Sequence, residues 1–384
     1  MPSLSKSVFW LSGGLLAYTQ AGYGLLLAVL ARRASPLRAP PCDPAPLPVV
    51  SAVVAAYREE GVIAERIANL RALDYPPKRL EVIVACDGSP DATADRAREA
   101  GADLVLELPR GGKVRAQDAA VRRARGEIVA FSDANARWAP EALRRLLAPF
   151  DQPDVGYVCG QVRFSSADGA TNQEGAYWRY EMWLRALESR LHSVTGGNGA
   201  IYATRRAAYL EVDPIMGHDL SFPFNMVRRG WRALYAPDAL ATEMMVPSIE
   251  GEFARKRRMM SHGWPIVLRG GMLDLGAYPP RYALMLLSHR VLRYATPALH
   301  VALLAASLAL TLARRGRVYA AALALQIAVL AAAAAGGLPG AARPPRPLLI
   351  ARYYVLTTAS LAAGLIDWLR EGTRSGWEPA EGTR

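Results

Sequence analysis

The sequence predicts an α/β domain with a mostly parallel central sheet, flanked by transmembrane helices. Two observations support this prediction. Apolar residues are concentrated toward the two ends of the 384-residue chain, in runs long enough to cross a bilayer. Between these ends, short apolar runs alternate with segments of helical periodicity. Such alternation is typical of βαβ units, in which helices connect parallel strands.

The first predicted element is a transmembrane helix within residues 1–33. Residues 8–30 form an uncharged apolar run that can cross a hydrocarbon core of roughly 30 Å. Arg32 and Arg33 follow directly, so the positive-inside rule predicts that the chain emerges into the cytoplasm. Residues 34–48 are rich in proline and are expected to form a stiff linker.

The alternation of strands and helices lies in a predicted soluble domain, residues 49–275. The ligand of such a sheet lies beyond the carboxyl ends of its strands, so the residues just after each strand are the candidate site. The expected strands are residues 49–55, 80–85, 103–107 and 127–131. The expected helices are residues 60–73, 91–100 and 113–124.

The C-terminal part of the chain is predicted to return to the membrane. Residues 276–293 mix arginine with apolar residues at helical spacing, which predicts an amphipathic helix on the membrane surface. About three transmembrane helices are expected within residues 294–370, and a tail of residues 371–384 follows. The expected spans are residues 294–313, 318–338 and 348–368.

The charges near these spans leave the topology open. If all three helices cross the membrane, Arg314, Arg315 and Arg317 lie on the outer side, against the positive-inside rule. Arg352 would then lie inside the last span, where a charge is costly unless it reaches the interface or finds a partner.

Composition narrows the class of partner. The net charge of +12 is compatible with an anionic substrate or anionic lipid. Nucleic acid is not expected, because the sequence has no basic patch interleaved with aromatic residues and no zinc-finger or RNP pattern. Cys42, Cys86 and Cys159 are too far apart to predict a disulfide framework or a zinc site. No dinucleotide-binding or P-loop glycine motif is present.

Polar side chains follow the expected strands. Carboxylates there could hydrogen-bond a ribose or base or hold a divalent ion, and a lysine could contact a diphosphate. Taken singly, each has a local explanation in a turn, a loop or a helix N-cap. Their recurrence at successive strand ends favours a binding site. The candidates, in chain order, are Tyr57, Glu59, Asp87, Lys113, Asp133 and Asn135.

These motifs resemble the membrane-bound, cellulose-synthase-like branch of the family 2 glycosyltransferases. The resemblance implies the GT-A nucleotide-sugar-binding fold and UDP as the usual donor nucleotide. It also implies that Ala56, Tyr57 and Glu59 line the nucleotide pocket, with Asp87 at the base. The segments that carry it are residues 49–60, 81–93, 111–135, 195–206 and 217–243.

The resemblance further implies a diphosphate site and a metal site. Lys113 would lie near the uridine or the diphosphate, and Asp133 would open the D-x-D motif that binds Mg²⁺ or Mn²⁺. Asn135 stands where that motif usually has its second acid. Its amide oxygen can still ligate either ion, but more weakly.

Later motifs resemble the acceptor side of the family's site. Gly197, Asn198 and Gly199 belong to a glycine-rich segment beside the acceptor, although a tight strand turn also explains the glycines. Asp219 would be the base that takes the proton from the acceptor hydroxyl, and a helix N-cap is its alternative role. His218 stands where the family usually has Glu and is interpreted as a turn residue.

A basic segment follows this candidate base. Arg255 and Arg258 fit the spacing of the family's Q/R-x-x-R-W motif, which contacts the diphosphate and the acceptor end. A basic face against anionic lipid headgroups explains them equally well. Met259 takes the place of the motif's tryptophan, and Trp264 follows it. Because that tryptophan normally stacks the growing sugar end, its displacement argues against processive polymer synthesis.

The sequence therefore predicts an inverting glycosyltransferase that uses a UDP-sugar and Mg²⁺ or Mn²⁺. Its acceptor would be membrane-associated: a lipid-linked sugar, a glycolipid or other lipid, or a growing polysaccharide. The predicted location is a bacterial inner membrane, with the catalytic domain at the cytoplasmic face. The alternative is a non-catalytic nucleotide-sugar-binding partner in a polysaccharide export complex. A transporter is disfavoured by the few spans and the lack of inverted repeats.

Overall fold

The computed structural model describes residues 2–34, 47–165, 174–244, 249–338 and 344–373. The strands in these ranges are β1 Val50–Ala56, β2 Leu80–Asp87, β3 Leu104–Leu108, β4 Ile128–Asp133, β5 Arg137–Trp138, β6 Val155–Ser165, β7 Tyr202–Arg205 and β8 Arg232–Met244. The helices are α1 Pro2–Ala17, α2 Tyr23–Arg32, α3 Ile63–Arg71, α4 Thr93–Glu99, α5 Lys113–Arg123, α6 Ala142–Leu147, α7 Glu174–Leu191, α8 His218–Arg228, α9 Ile249–Arg269, α10 Pro280–Leu286, α11 Leu292–Leu312, α12 Arg317–Ala335 and α13 Arg346–Glu371.

The strands form one sheet in the order β3-β2-β1-β4-β7-β6-β8-β5. The first four strands pair in parallel, as do β6 and β8, whereas β7 and β5 are antiparallel to their neighbours. Every residue of β1 and β2 is buried, which explains their uninterrupted apolar runs. The predicted α/β class is confirmed, and the four expected strands are present with their ends shifted by one or two residues.

Helices cover both faces of the sheet. On one face, α3, α4 and α6 bury Ile67, Ala97 and Leu146 against the strands. On the other face, α5, α7 and α8 contribute apolar side chains such as Ala120 and Phe222 to a second core. Because the sheet is enclosed on both faces, only its edges and the ends of its strands are open to a ligand.

The carboxyl ends of the parallel strands meet at one edge of the sheet. Ala56, Asp87 and Asp133 end β1, β2 and β4 there. The first residue of β7, Tyr202, pairs with Phe131 of β4 in antiparallel register. The glycine-rich residues that precede β7 therefore reach the same edge as Asp133.

Among the described residues, four helical segments are long and apolar enough to cross a membrane, namely Ser3–Arg32, Pro280–Leu312, Arg317–Ala335 and Arg346–Glu371. The first two each contain a turn of π-helix, and the hydroxyls of Tyr18 and Ser288, one in each turn, lie 2.8 Å apart. The expected surface helix over 276–293 is not a separate element, because α10, the π-turn and α11 follow one another directly.

The ends of these helices lie at the two opposite ends of the helical bundle. Phe9 of α1 packs edge-on against Tyr319 of α12, in a cluster that also contains Leu310 near the end of α11. The opposite ends of α2 and α11 face the soluble domain. Arg190 of α7 donates to the carbonyl of Ala34, just after α2, at 2.8 Å, and Arg293 at the start of α11 pairs with Glu181 of α7 at 2.6 Å. The sheet therefore lies at one end of the helical bundle.

Helix α13 behaves differently from α11 and α12, because both of its ends lie at the level of the soluble domain. Near its start, Leu348 contacts Gly336 at the end of α12. Further along, the carbonyl of Leu361 accepts a hydrogen bond from Trp264 of α9 at 2.8 Å. Near its end, Asp367 pairs with Arg257 of α9 through two contacts of 2.6 Å. Helix α13 thus runs along α9.

The packing of α13 gives Arg352 a partner. Its Nη2 lies 2.5 Å from Oε1 of Glu250 at the start of α9, and its Nη1 donates to the carbonyl of Ala333 at 3.5 Å. The charge that interrupts this apolar stretch of sequence is therefore neutralised by a carboxylate.

Candidate active site

Asp87 organises the first part of the site. Its buried carboxylate accepts hydrogen bonds from the backbone N–H groups of Gly111 and Gly112 at 2.6 and 2.9 Å and pairs with Arg110 at 2.7 Å. The guanidinium carbon of Arg110 lies 3.3 Å from the ring centroid of Tyr57. The structure thus brings Tyr57 and Asp87 together, as predicted, and adds Arg110. This arginine was not predicted from the sequence, although it directly precedes the Gly111-Gly112-Lys113 motif.

Ala56 and Glu59 lie beside this group but are enclosed. The side chain of Ala56 is packed in the core, so it has only backbone atoms to offer a ligand. Glu59 is 1% exposed, and its backbone N–H donates to the Thr93 hydroxyl at 2.9 Å. Their predicted place in the nucleotide pocket stays a prediction.

Lys113 and Asp133 form the second part of the site as a half-buried ion pair. Burial alone would lower the pKa of Lys113. The paired carboxylate of Asp133 and the nearby charges of Asp219 and Glu243 outweigh burial and raise the pKa above its ordinary value. Lys113 is therefore held as a cation among three carboxylates that are distant in sequence.

The glycine-rich segment lies directly against this pair. A methyl group on Gly199 would lie 3.1 Å from Nζ of Lys113 and 3.3 Å from Oδ2 of Asp133. The N–H of Gly197 donates to the backbone carbonyl of Asp219 at 2.6 Å. This segment therefore connects the ion pair with the predicted base.

The side chain of Asn198 stabilises the turn of this segment. Its amide nitrogen donates to the carbonyl of Gly160 at 2.7 Å, and its oxygen accepts from the N–H of Ile201 at 2.8 Å. Both ends of the side chain thus fix the turn that presents Gly197 and Gly199. A direct contact between Asn198 and an acceptor stays a prediction.

Asp219 lies in the first turn of α8. Gly217 occupies the N-cap position, so the interpretation of Asp219 as the N-cap is wrong. The Asp219 side chain is partly exposed and makes no hydrogen bond or ion pair with any residue that the structure describes. A carboxylate of this kind is available to accept a proton.

His218 is not a turn residue, as the sequence suggested, but the buried first residue of α8. Its ring stacks on Phe222 with centroids 3.9 Å apart, and its Nδ1 lies 2.8 Å from the Tyr202 hydroxyl. Burial, with a smaller effect of the Lys113 charge, lowers its pKa to about 3. His218 is therefore neutral at physiological pH and supports the helix that carries Asp219.

The basic segment of the family motif lies on α9. Arg255 pairs with Glu252 one turn earlier at 2.7 Å, and Arg258 is exposed. Trp264 donates its indole N–H to Leu361 and packs edge-on against Tyr294, with ring centroids 5.0 Å apart. These contacts give Trp264 a packing role between three helices. The predicted roles of the three residues toward diphosphate and acceptor stay predictions.

The donor set for a divalent ion is small. Among the described residues, no group of three or more His, Cys, Asp or Glu side chains could hold a metal. Asp133 and Asn135 still offer oxygen ligands at the end of β4, two positions apart. Mg²⁺ in phosphate-transfer sites takes one or two protein oxygens and completes its shell with phosphate and water. The residues therefore fit an ion that arrives with a diphosphate.

The mostly parallel sheet, with polar residues at its carboxyl edge, matches the solved structure of a glycosyltransferase. A mannosyltransferase from Pyrobaculum calidifontis, solved in complex with GDP-Man and Mn²⁺, matches 95% of this chain and 99% of its own, with a TM-score of 0.71 and 26% identity. The family model described as Glycosyltransferase like family 2 matches residues 46–264. The chain belongs to this family, which confirms the resemblance found in the sequence.

Curated relatives agree with this assignment. A beta-monoglucosyldiacylglycerol synthase of Synechocystis sp. is 33% identical over 205 residues, which are 50% of this chain and 42% of that protein. An N-acetylglucosaminyltransferase of Rhizobium meliloti is 26% identical over 241 residues, 55% of each chain. The chain thus spans about half the length of the curated relatives it matches.

Proposed function

We propose that this chain is an inverting, membrane-anchored glycosyltransferase that moves a sugar from a UDP-sugar to a hydroxyl group of a membrane-associated acceptor. The observation that carries the proposal is the position of Asp219. Its carboxylate, which has no hydrogen-bond or ion-pair partner among the described residues, lies at a helix N-terminus. Its backbone is tied to the glycine segment that contacts the Lys113–Asp133 pair. A base beside the acceptor and a cation beside the leaving group are what inverting transfer needs.

The proposed reaction is a single displacement. Asp219 accepts the proton as the acceptor oxygen attacks the anomeric carbon of the donor sugar. The bond between that carbon and the diphosphate oxygen breaks on the opposite face, so the configuration inverts. Lys113 is held as a cation and stabilises the negative charge on the departing nucleoside diphosphate.

Asp133 and Asn135 would hold the divalent ion, which supplies further charge neutralisation at the diphosphate. Manganese in the related mannosyltransferase structure supports this part of the proposal. Asp87, with Tyr57 and Arg110, would receive the nucleotide base and ribose through a carboxylate and a stacked ring.

The proposed acceptor is a lipid or a lipid-linked sugar at the cytoplasmic face of a bacterial inner membrane. Four helical segments suitable for a membrane and the glycolipid synthase among the relatives support it. Addition of one or a few sugars is proposed over polymer synthesis, because Met259 replaces the tryptophan of the family motif and Trp264 is packed between helices.

The decisive experiment compares Asp219→Asn with wild type in nucleoside diphosphate release from a panel of UDP- and GDP-sugars, with Mg²⁺ or Mn²⁺ and membrane lipid extract. The expected result is release from one donor by wild type, at least a hundredfold loss in the variant (about 3 kcal/mol of barrier), and unchanged donor binding. The matched control is Asp154→Asn, an exposed carboxylate at the opposite end of the strands. Full turnover by Asp219→Asn would refute the proposed base. No release by wild type with any donor would favour a non-catalytic partner.

The metal assignment has its own test. Asp133→Ala is expected to abolish both activity and Mn²⁺ binding in the presence of UDP, because it removes the only carboxylate of the two proposed ligands. Asn135→Asp is expected to tighten Mn²⁺ binding, because a carboxylate is a stronger ligand than an amide. Electron paramagnetic resonance of Mn²⁺ measures both effects. Unchanged Mn²⁺ binding by Asp133→Ala would exclude Asp133 as a ligand.

A further inference from the structure

A membrane helix contributes a cation to the edge of the candidate site. Arg290 lies in the π-helical turn between α10 and α11. Its Nε donates to the hydroxyl of Thr195 at 3.0 Å. Thr195 directly precedes the glycine segment, so Arg290 is tied to the part of the chain that contacts Asp219 and Lys113.

The guanidinium of Arg290 rests against Gly196. A methyl group at that position would lie 2.4 Å from Nη2, so the arginine would have to move away from any larger residue. The terminal nitrogens of Arg290 make no hydrogen bond or ion pair with the residues in the described ranges, and the side chain is partly exposed. Its charge is therefore available to a ligand.

The buried carboxylate of Glu188 attracts Arg290 electrostatically, but the two side chains make no direct ion pair. Its Oε1 lies 2.6 Å from Nδ1 of His289 and accepts from the Tyr23 hydroxyl at 2.7 Å. Its Oε2 accepts from the N–H of Thr195 at 3.0 Å. Glu188 is thus saturated by other donors, and it holds Thr195 in place for Arg290.

The next arginine in the sequence, Arg293, has a structural role and serves as a comparison. Arg293 is bound through Nη2 to Glu181 at 2.6 Å and through Nη1 to the Tyr177 hydroxyl at 3.0 Å. Both of its terminal nitrogens are used inside the protein. Arg290 differs because, among the described residues, only its Nε has a hydrogen-bond partner.

The position of Arg290 defines the chemistry of its ligand. Gly196 contacts Arg290, and Gly197 contacts the backbone carbonyl of Asp219. Gly199 contacts the Lys113–Asp133 pair. Three residues of extended chain span at most about 11 Å, so Arg290 and Lys113 contact backbone positions that are no farther apart than this, and the Asp219 carbonyl is contacted between them. The proposed nucleotide-sugar donor carries phosphate groups, for which a guanidinium is a strong bidentate donor.

We propose that Arg290 binds a phosphate group in the catalytic centre, either the diphosphate of the donor or a phosphate carried by the acceptor lipid. This inference rests on the proposed function and deepens it, because it makes a membrane helix part of the substrate site. Thr195, Glu188 and His289 are positioning residues that hold the arginine and the glycine segment.

The test measures binding by titration calorimetry, without turnover, to wild type, Arg290→Gln and Arg290→Lys in detergent. The donor arm compares UDP with uridine, which lacks phosphate. The lipid arm compares short-chain phosphatidic acid with the matching diacylglycerol. Arg281→Gln, an exposed arginine at the start of the same helix, is the matched control.

If the diphosphate of the donor is the ligand, Arg290→Gln weakens UDP binding roughly tenfold to a hundredfold and leaves uridine binding unchanged. Arg290→Lys then restores part of the lost affinity for UDP. If the lipid is the source, Arg290→Gln weakens the binding of phosphatidic acid by a similar factor and leaves the binding of diacylglycerol unchanged. Equal binding of all ligands by wild type and Arg290→Gln, or equal losses with and without phosphate, would overturn the inference. Failure of wild type to bind UDP or GDP at all would instead count against the proposed function.

Discussion

At the scale of single residues, the backbone at Gly199 lies close to the Lys113–Asp133 pair. An added methyl group would contact both charged side chains at little more than 3 Å, which leaves no room for a diphosphate to rearrange them. Gly199→Ala is therefore expected to weaken UDP binding about tenfold without unfolding the protein. Gly61→Ala is the control, because a methyl group there meets no atom within 4 Å. Titration of both variants with UDP provides the measurement, and equal affinities would show that the pair is not at the donor.

His218 gives a prediction for pH. The folded protein resists protonation of this ring down to about pH 3, whereas the unfolded chain binds the proton near its ordinary pKa of about 6.5. The unfolded state therefore holds more protons between these values, and stability falls as the pH drops below about 6.5. The loss from pH 7.5 to pH 5 is about 2 kcal/mol.

His218→Asn is expected to remove that part of the pH dependence while it retains a partner for the Tyr202 hydroxyl. Thermal unfolding at several pH values between 5 and 7.5 compares the variant with wild type. Parallel curves for the two proteins would show that His218 is not the group responsible. His192 and the carboxylates of α7 are the same in both proteins. Their contributions to the pH dependence of stability therefore cancel when the two curves are compared.

The residues of the site were predictable to different degrees. Asp87, Lys113 and Asp133 follow strands whose apolar runs are clear in the sequence, so their common edge could be predicted. Arg110 and Arg290 could not, because their roles depend on contacts with Tyr57 and Thr195 that no local pattern encodes. The burial of His218 also depends on tertiary packing, since its neighbours in sequence predict only a turn.

At the scale of elements, β1, β2 and β4 were predictable because burial on both faces requires continuous apolar runs. The edge strand β3 is only partly buried, and its apolar run is interrupted by Glu107. The later strands were not assigned, and β6 and β8 contain bulges that blur their pattern. The continuity of α10 with α11 was also missed. Arginines at helical spacing suggested a separate surface helix, whereas residues such as Arg293 are used in contacts with the soluble domain.

Trp264 gives a prediction at this scale. Its indole N–H joins α9 to α13, so Trp264→Phe should lower the free energy of unfolding by about 1 kcal/mol through the lost hydrogen bond. Binding of UDP should not change. Trp183→Phe, which alters a more exposed tryptophan, is the control for thermal unfolding in detergent. Unchanged stability together with weaker acceptor binding would restore the stacking role suggested by the sequence.

At the scale of the whole molecule, the two ends of α13 bear on topology. Length and composition alone would allow this helix to cross the membrane. Its contacts with α9 and with the end of α12 instead keep both ends on the side of the soluble domain. We therefore expect three crossings, made by α1–α2, α10–α11 and α12, with α13 at the membrane surface.

Cysteine labelling tests this topology. Cys42 is first replaced, and either Arg315→Cys or Glu371→Cys is then introduced. The native Cys86 and Cys159 are buried, so they are not expected to react with the label. In intact spheroplasts, a membrane-impermeant maleimide should label Arg315→Cys and should label Glu371→Cys only after permeabilisation. Labelling of Glu371→Cys in intact cells would show that α13 crosses the membrane.

The ion pair of Lys113 with Asp133 also determines how the protein responds to salt. Each of the two charges already has its counterion, so a diphosphate must draw Lys113 away from its carboxylate, and that carboxylate then requires a different cation. Donor binding at this point is an exchange of counterions, in which little net charge is gained. The affinity for UDP should therefore decline less steeply with ionic strength than it would in a pocket lined only by free basic residues.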